Sequence, residues 1–244
     1  MSPAPVPPNS PLSAGPAQQM PAMPPKLVIF GASNIVSDLF DCALARGMRI
    51  SKVVLDMPET VGERDMPLAQ RLQALAVHGQ QPQLLEFEQF APEPDEVYLL
   101  GPTTPTRAAL ADKIRQRFGL DFLTLIHPTA YVSPLATLAP GVFVGANSVI
   151  GPGVHLAEHV FVNRGVTIGH DTRIGAFSRI QPGSNLGGLS RIGHSVTVAI
   201  GATLIERLVI GDNAFIGAGA VVTNDVEADV LVVGIPAKFK KNLN

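Results

Sequence analysis

A histidine and an aspartate stand side by side at His170 and Asp171, and no other pair in this sequence is better suited to acid–base chemistry. An imidazole titrates near neutral pH, so it can take a proton from an attacking nucleophile. General bases of this kind contribute roughly 10²–10⁴ in rate. From the residues alone, the alternative that His170 and Asp171 are merely exposed surface residues with no catalytic role is equally favoured.

The remaining histidines and the cysteine offer less chemistry. We expect the other five histidines to be surface residues and Cys42 to be a packing residue. No metal site is predicted, because the spacing of His155, His159 and His170 does not match a three-histidine zinc site. The five histidines are His78, His127, His155, His159 and His194.

The segment around His170 repeats with a period of six residues. From Ile126 to Val222 every sixth residue is Ile, Val or Leu, at seventeen positions without a slip. This period fits neither an α-helix nor simple strand alternation. Each hexad therefore predicts one short strand and a corner, and three hexads close one triangular coil. Coils stacked about 4.8 Å apart form a parallel β-helix with the aliphatic residues inside.

Glycines follow the repeated aliphatic residue in many hexads, as Gly169 and Gly187 do. Glycine is needed where φ is positive or where another backbone approaches closely. We therefore expect these glycines at the corners of the coils, for one of these two reasons.

A different pattern precedes the repeat, in which short apolar runs alternate with helical segments. Alternating strands and helices predict a small parallel α/β unit with right-handed crossovers. Ser33 or Asn34 is the expected cap of the first helix. The predicted strands are 27–30, 53–55 and 97–100, and the predicted helices end near Arg46 or span 67–77 and 106–118.

Four regions follow from these patterns. Residues 1–25 form a Pro/Ala-rich stretch that we expect to be a disordered tail. Residues 26–122 form the small parallel α/β domain, and residues 123–234 form the β-helix. Residues 235–244 are expected to be a C-terminal tail.

Composition narrows the classes of partner and compartment. The formal net charge is −2 and there is no long basic run, which argues against nucleic acid or an anionic membrane surface as partner. A single cysteine allows no internal disulfide and fits a reducing compartment. There is no long apolar span and no secretory signal pattern at the N-terminus, so we expect a cytoplasmic protein.

Residues 26–244 resemble the hexapeptide-repeat acyltransferases typified by sialic acid O-acetyltransferases and UDP-4-amino-sugar N-acetyltransferases. The motifs that carry the resemblance are VNRGVTIGHDTRIG at 162–175, FSRIQPGSNLGG at 177–188, IGDNAFIGAGAVVTNDV at 210–226 and VVGIPAK at 232–238. The resemblance implies a small α/β Rossmann-like N-terminal domain followed by a left-handed parallel β-helix of hexapeptide repeats. It also implies that residues 26–122 bind a nucleotide sugar, that the protein is a homotrimer and that acetyl-CoA is the acyl donor.

The resemblance also implies catalytic roles. His170 matches the general base, and Asp171 matches the acidic neighbour that raises its basicity by stabilising the imidazolium. Gly188 matches the residue whose backbone N–H faces the thioester oxygen, a donor that is typically worth about 10²–10³ in turnover.

Four further positions match acetyl-CoA contacts. Ile200 and Ala218 would lie along the pantetheine arm. Arg179 departs from the histidine usual in the family, but it could donate a hydrogen bond or reach a phosphate. Lys238 could neutralise a CoA phosphate, although it could equally be a solvated lysine.

The acceptor side matches less well. The turn after the first strand lacks the second glycine and the histidine of the family, although its small residues still let backbone N–H groups approach an anion. Asn163 corresponds to a residue beside the acceptor sugar, but it could equally be a corner amide bonded to its own backbone. The expected acceptor-binding residues are Ser33, Asn34, Asp56, Gly101, Thr103 and Asn163.

These expectations converge on an acetyl-CoA-dependent N-acetyltransferase acting on an amino group of a nucleotide-linked amino sugar. A sugar O-acetyltransferase is the nearest alternative, because the residues do not distinguish an amine from a hydroxyl acceptor. A non-catalytic β-helix serving assembly or binding, or a γ-type carbonic anhydrase-like protein, remain as alternatives from other classes.

Overall fold

The computed structural model describes residues 24–243, in which an α/β domain precedes a β-helix. The predicted N-terminal tail lies almost wholly outside these residues. Within them, no helix combines the length and apolar character needed to span a membrane.

The α/β domain contains a four-stranded parallel sheet with the strand order β3-β2-β1-β4. All three predicted strands and all three predicted helices are confirmed, with small shifts at their ends. Strand β3 escaped prediction because its side chains are largely exposed and show no apolar run. The elements are β1 Lys26–Phe30, α1 Val36–Ala45, β2 Arg49–Leu55, α2 Leu68–Ala76, β3 Gln83–Glu86, a 3₁₀ turn Phe87–Gln89, β4 Glu96–Leu100 and α3 Arg107–Phe118.

The carboxyl ends of β1 and β4 meet where the strand order reverses, which is where open α/β sheets bind ligands. Gly31 ends β1 with φ +75°, a left-handed conformation that glycine adopts without strain. A Cβ atom on Gly101 would lie 2.1 Å from the carbonyl oxygen of Gly31. Both glycines are therefore required by the close approach of the two strand ends.

The predicted cap of helix α1 is wrong. The N-cap residue is Ile35, and no side chain caps the helix. Instead, the Ser33 hydroxyl donates to the Gly101 carbonyl at 3.1 Å, and the Asn34 amide bonds to Asp65 at 2.7 Å. These side chains hold the loop to its neighbours rather than to the helix.

The β-helix has the predicted period throughout. Each of the seventeen repeated aliphatic residues is the second residue of a two-residue strand, and strands pair in parallel with partners eighteen residues away, as Leu156 does with Ile174. Strands β5 to β21 are Leu125–Ile126, Tyr131–Val132, Thr137–Leu138, Phe143–Val144, Val149–Ile150, His155–Leu156, Phe161–Val162, Thr167–Ile168, Arg173–Ile174, Arg179–Ile180, Asn185–Leu186, Arg191–Ile192, Thr197–Val198, Thr203–Leu204, Val209–Ile210, Phe215–Ile216 and Val221–Val222.

Three sheets form the faces of this left-handed prism. The first face carries β5, β8, β11, β14, β17 and β20, followed by β22 (Val230–Val233) and β23 (Lys238–Asn242). The second face carries β6, β9, β12, β15, β18 and β21, and the third carries β7, β10, β13, β16 and β19. We call the edge between the first and second faces the first corner, that between the second and third faces the second corner, and that between the third and first faces the third corner.

The repeated aliphatic side chains form one continuous core along the prism axis. Ile150, Ile180 and Ile216 have no exposed surface, whereas Ile126 and Val132 of the first coil are only partly buried. The burial of these stacked side chains is the main favourable contribution to the fold of this region.

The corner glycines are needed because the backbones of neighbouring coils approach each other closely. None of the glycines directly after the repeated aliphatic residues has a positive φ. A Cβ atom on Gly169 would lie 2.5 Å from the backbone nitrogen of Gly188, and one on Gly187 would lie 2.4 Å from that of Glu206. Positive φ values occur two residues further on, for example at Asp171.

The C-terminal segment is not simply a tail. Strand β22, Val230–Val233, continues the first face, and Lys238–Asn242 form strand β23, which pairs antiparallel with it. The antiparallel return was not visible in the sequence, because all five residues of β23 are exposed and three of them are lysines.

The α/β domain packs on the first face of the β-helix. Phe143 and Phe161 stack on each other with ring centroids 4.7 Å apart and belong to the same buried cluster as Leu39 and Phe40 of helix α1. This junction fixes which corners of the prism the α/β domain can reach.

Candidate functional site

A cavity of about 590 Å³ opens at the carboxyl ends of β1, β2 and β4, and we call it the sheet cavity. Three predicted acceptor residues, Ser33, Asn34 and Asp56, line it. Gly101 does not line the cavity, but its lack of a side chain allows the strand ends to meet beside it.

A polar network at the rim of the sheet cavity was not predicted. Arg71 of helix α2 donates to the Asn34 side-chain oxygen at 3.0 Å and to the Ser37 hydroxyl at 2.6 Å. Hydrogen bonds from the Gly62 backbone and from Asn34 lower the pKa of Asp65. Sequence reasoning missed the network because its members come from three separate segments with no shared spacing.

A second cavity of about 670 Å³ lies between the loop after β1 and the first face of the β-helix, and we call it the interdomain cavity. Ser33 and Asn34 line both cavities, so the two spaces adjoin at this loop. The predicted site residues that line the interdomain cavity are Ser33, Asn34, Thr103, Asn163, Arg179 and Ile200.

Asn163 lies in this cavity as a corner amide that bonds to the backbone. Its side-chain oxygen accepts the Arg164 N–H at 2.8 Å, and its amide nitrogen donates to Gln181 at 3.3 Å. Gln181 was not predicted, although it stands eighteen residues after Asn163 and the coil period could have identified it.

Arg179 and Arg107 form a cationic pair at the domain junction. Arg179 is half-buried and donates through Nε to the Thr197 hydroxyl at 3.0 Å. Arg107 is 4% exposed and donates only to backbone carbonyl groups, those of Thr103 and Thr104 in the α/β domain and of His159 and Ser178 in the β-helix. Burial, reinforced by the charge of Arg179, lowers the pKa of Arg107 to about 9.

The predicted catalytic pair lies at the second corner of the prism. The Nδ1 atom of His170 is 2.8 Å from a carboxylate oxygen of Asp171, and both side chains are 58% exposed. Asp171 has φ +57°, and its N–H donates to the Pro152 carbonyl at 2.9 Å in the preceding coil. The carboxylate therefore holds one ring nitrogen, which leaves Nε2 turned toward solvent or a ligand.

Gly188 lies directly beside the His170 ring, one coil further on. A Cβ atom on Gly188 would lie 2.9 Å from both Nε2 and Cδ2 of His170. Within residues 24–243 the Gly188 N–H donates to no acceptor, whereas the next N–H, that of Leu189, donates to the His170 carbonyl at 2.8 Å. A free backbone donor and a free imidazole nitrogen thus adjoin at one corner.

The structure separates the predicted residues into two groups. His170 and Gly188 follow strands of the second face, whereas Asn163, Ile200 and Ala218 follow strands of the first face, which carries Arg179 itself. The width of the second face lies between the two groups, so one chain does not bring them together. Lys238 lies in β23 and does not line the interdomain cavity.

Metal-binding side chains do not cluster in the described part of the chain. Residues 24–243 contain no group of three or more His, Cys, Asp or Glu residues positioned to hold a metal ion.

The repeat matches a known family over part of the chain. Residues 141–169 and 207–232 match the family described as the hexapeptide repeat of succinyl-transferase. A serine acetyltransferase of Synechococcus elongatus is 47% identical over 45 residues, which are 18% of this chain and 18% of that protein. The chain thus matches less than a fifth of the length of this curated relative.

Solved structures match over most of the chain. The acetyltransferase domain of PglB from Neisseria gonorrhoeae FA1090 superimposes with a TM-score of 0.74 and 28% identity, covering 88% of this chain and 99% of that one. PerB from Caulobacter crescentus, solved with CoA and GDP-perosamine, gives a TM-score of 0.71 and 28% identity, covering 88% and 97%. Repeat, fold and domain order confirm the resemblance to the hexapeptide-repeat acyltransferases of the sialic acid O-acetyltransferase and UDP-4-amino-sugar N-acetyltransferase family.

Proposed function

We propose that this protein is an acetyl-CoA-dependent N-acetyltransferase that acts on an amino group of a nucleotide-linked amino sugar. The observation that carries the proposal is the arrangement at the second corner, where Asp171 holds Nδ1 of His170 and the Gly188 N–H adjoins the free Nε2. A general base and an oxyanion donor at one point are what acyl transfer from a thioester requires.

Ligands of the similar structures support the choice of substrates. The Neisseria domain has been solved with acetyl coenzyme A, and the Caulobacter protein, a GDP-perosamine N-acetyltransferase, with CoA and GDP-perosamine. The sheet cavity of this chain lies where open α/β sheets bind nucleotides. We infer that it receives the nucleotide and that the interdomain cavity receives the amino sugar.

The reaction follows from the chemistry of the groups at the corner. The amine attacks the thioester carbonyl carbon while Nε2 of His170 removes its proton, and the Gly188 N–H stabilises the oxyanion. The C–S bond then breaks, and His170 returns the proton to the departing thiolate. The products are the amide and CoA, and no acyl-enzyme is formed.

The two groups of site residues support a homotrimer. Since the cavities and the catalytic corner of one chain are separated by the second face, a complete site needs the second corner of a neighbouring chain. Cyclic assemblies create identical contacts of this kind at every interface. We infer that each site joins the interdomain cavity of one subunit to His170 and Gly188 of the next. We also infer a cytoplasmic location, where acetyl-CoA and nucleotide sugars would meet the enzyme.

Release of free thiol from acetyl-CoA tests the proposal. The acceptor panel contains UDP-, dTDP- and GDP-linked 4-amino sugars, free amino sugars and sugars with hydroxyl groups only. We expect turnover with one nucleotide-linked amine and a fall of roughly 10²–10⁴-fold in kcat for His170→Ala, with little change in the binding of acetyl-CoA.

Other outcomes identify the alternatives. Turnover only with a hydroxyl acceptor would replace the N-acetyltransferase with an O-acetyltransferase. Acetyl-CoA binding without turnover on any acceptor, or no binding at all, would reject the enzyme proposal in favour of a non-catalytic β-helix.

A further inference from the structure

The guanidinium of Arg179 has hydrogen-bonding capacity that the protein itself does not use. Its Nε donates to the Thr197 hydroxyl at 3.0 Å, and within residues 24–243 its two terminal nitrogens donate to no protein group. The side chain is half-buried and lines the interdomain cavity. Four N–H donors are therefore available to a ligand in this cavity.

The charge around Arg179 is not balanced by carboxylates. Asp38 is the one acidic residue that lines the interdomain cavity, and it bonds to Arg164. The neighbouring Arg107 is almost fully buried and bonds only to carbonyl groups of the backbone. Two guanidinium groups thus lie near each other without an anion in the described part of the chain.

Such an arrangement favours an anionic ligand. A cation removed from water is costly unless it is paired, and a second cation nearby adds repulsion. Burial lowers the pKa of Arg179, which agrees with this electrostatic environment. An anion beside Arg179 would offset both costs, and planar guanidinium groups bind carboxylate or phosphate oxygens in pairs.

We propose that Arg179 binds an anionic group, a phosphate or a carboxylate, of the ligand in the interdomain cavity. Two sources offer this chemistry. A nucleotide-linked acceptor bound across the adjoining cavities would supply a phosphate, and an acyl donor derived from a dicarboxylic acid would supply a carboxylate at the end of its acyl chain. The nucleotide-linked acceptor rests on the proposed function, and a donor derived from a dicarboxylic acid would replace the acetyl-CoA of that proposal. The charge of the site depends on neither.

Calorimetric binding to the full chain distinguishes the sources. The probes are UDP, GDP and dTDP, each compared with its nucleoside, together with acetyl-CoA and succinyl-CoA. The variant is Arg179→Gln, and the matched control is Arg191→Gln, which removes the same charge from the first residue of a strand on the third face. Arg179→Lys keeps the positive charge and guards against a loss caused by misfolding.

We expect Arg179→Gln to weaken one kind of probe by roughly 10- to 100-fold, as for the loss of a charge-assisted hydrogen bond. Selective loss of a nucleoside diphosphate identifies the acceptor phosphate, and a greater loss for succinyl-CoA than for acetyl-CoA identifies an acyl carboxylate. Nucleosides should bind the wild type and the variant alike. Arg179→Lys should retain part of the affinity, because it keeps the charge but not the paired donors. Arg191→Gln should leave the affinity within about twofold.

Three outcomes would overturn the inference. The first is unchanged affinity of Arg179→Gln for every probe. The second is an equal loss of affinity for nucleosides and their diphosphates, which would indicate that Arg179 only shapes the cavity. The third is a wild-type chain that binds none of the anionic probes. Thiol release is measured separately, so anion binding that depends on Arg179 without acetyl transfer would reject the proposed function and retain this inference.

Discussion

The imidazole of His170 is oriented by its neighbour rather than by packing. Asp171 adopts a left-handed backbone conformation, which aspartate tolerates better than most residues, and this brings its carboxylate to Nδ1 of His170 at 2.8 Å. Gly188 leaves the space beside the other edge of the ring open. The backbone conformation of Asp171, the contact of its carboxylate with Nδ1 and the space left by Gly188 thus determine that Nε2 is the free ring nitrogen.

Replacing Gly188 with Ala tests the importance of that space. The added Cβ would lie 2.9 Å from Nε2 of His170, so the ring must move, which its exposure makes easy. We expect kcat to fall by ~10²-fold because the base is displaced. The free energy of unfolding should fall by no more than about 1 kcal/mol. Unchanged turnover in a steady-state assay would contradict this role of Gly188.

The prediction that the other histidines are surface residues is wrong for His127 and His159, which are both buried. The role of His159 is structural. It is 2% exposed, stacks on Phe177 with ring centroids 4.9 Å apart and meets the edge of Phe122. Burial, with the charges of Arg115 and Arg107, lowers its pKa to about 3. His159 is therefore neutral in the folded protein at any pH where the chain is expected to work.

This pKa shift predicts a pH dependence of stability. Between pH 6.5 and 3 the unfolded chain binds a proton at His159 that the folded chain does not, so the free energy of unfolding falls as the pH falls. From pH 7 to pH 5 the expected loss is about 2 kcal/mol. Urea unfolding at both pH values should show a smaller loss for His159→Asn, whose side chain tolerates φ +56°. An equal loss in variant and wild type would rule out His159 as the source.

At the scale of the elements, buried serine hydroxyls connect the coils of the β-helix. Ser148 is fully buried, donates to the Asn163 carbonyl at 2.7 Å and accepts the Val166 N–H at 3.2 Å. Each corner leaves backbone groups without strand partners, and such groups must be paired when they are buried. The small polar residues two positions before the aliphatic residue meet that need.

We expect Ser148→Ala to lower the free energy of unfolding by about 1–3 kcal/mol, because it leaves a buried carbonyl and a buried N–H unpaired. Thr167→Ala is the matched control, since its exposed hydroxyl bonds only to the Asn185 side chain. Denaturant titrations of both variants provide the comparison. Equal small effects would mean that the neighbouring coils reorganise to satisfy the freed groups.

At the scale of the whole molecule, the junction between the domains sets the geometry of the site. Arg107 bonds to carbonyl groups of the loop after β4 and to carbonyl groups of two coils at the third corner. The loop after β4, which lines both cavities, is thereby held to that corner. The α/β domain is therefore fixed away from the second corner, which carries His170. The proposed site therefore requires a neighbouring chain to complete it.

Mixing two inactive variants tests this assembly. His170→Ala removes the base, and Ala199→Phe fills the interdomain cavity that Ala199 lines. Each variant alone should lack acetyl transfer. Co-expressed in equal amounts, they should recover about a quarter of the wild-type activity per site, because random trimers join intact halves with that frequency. Activity that stays absent in the co-purified mixed trimers would place both halves of the site within one chain.

The sequence alone determined the β-helix residue by residue. The period of six places every repeated aliphatic residue in a strand, because backbone geometry converts the spacing directly into position and no long-range information is needed. His170, Asp171 and Gly188 could be assigned to one corner for the same reason, since eighteen residues separate equivalent positions. The parallel α/β unit followed from local alternation in the same way.

Only the tertiary structure decided how these parts combine. The Arg107 contacts, the Asn34–Arg71 network, the return of β23 and the shared wall of the two cavities all join residues that are distant in sequence, and no local pattern encodes such contacts. The distance of both cavities from His170 likewise depends on which face of the prism receives the α/β domain. That choice is made by the packing of Phe143 and Phe161 against helix α1, an interaction between whole surfaces rather than a property of any one segment.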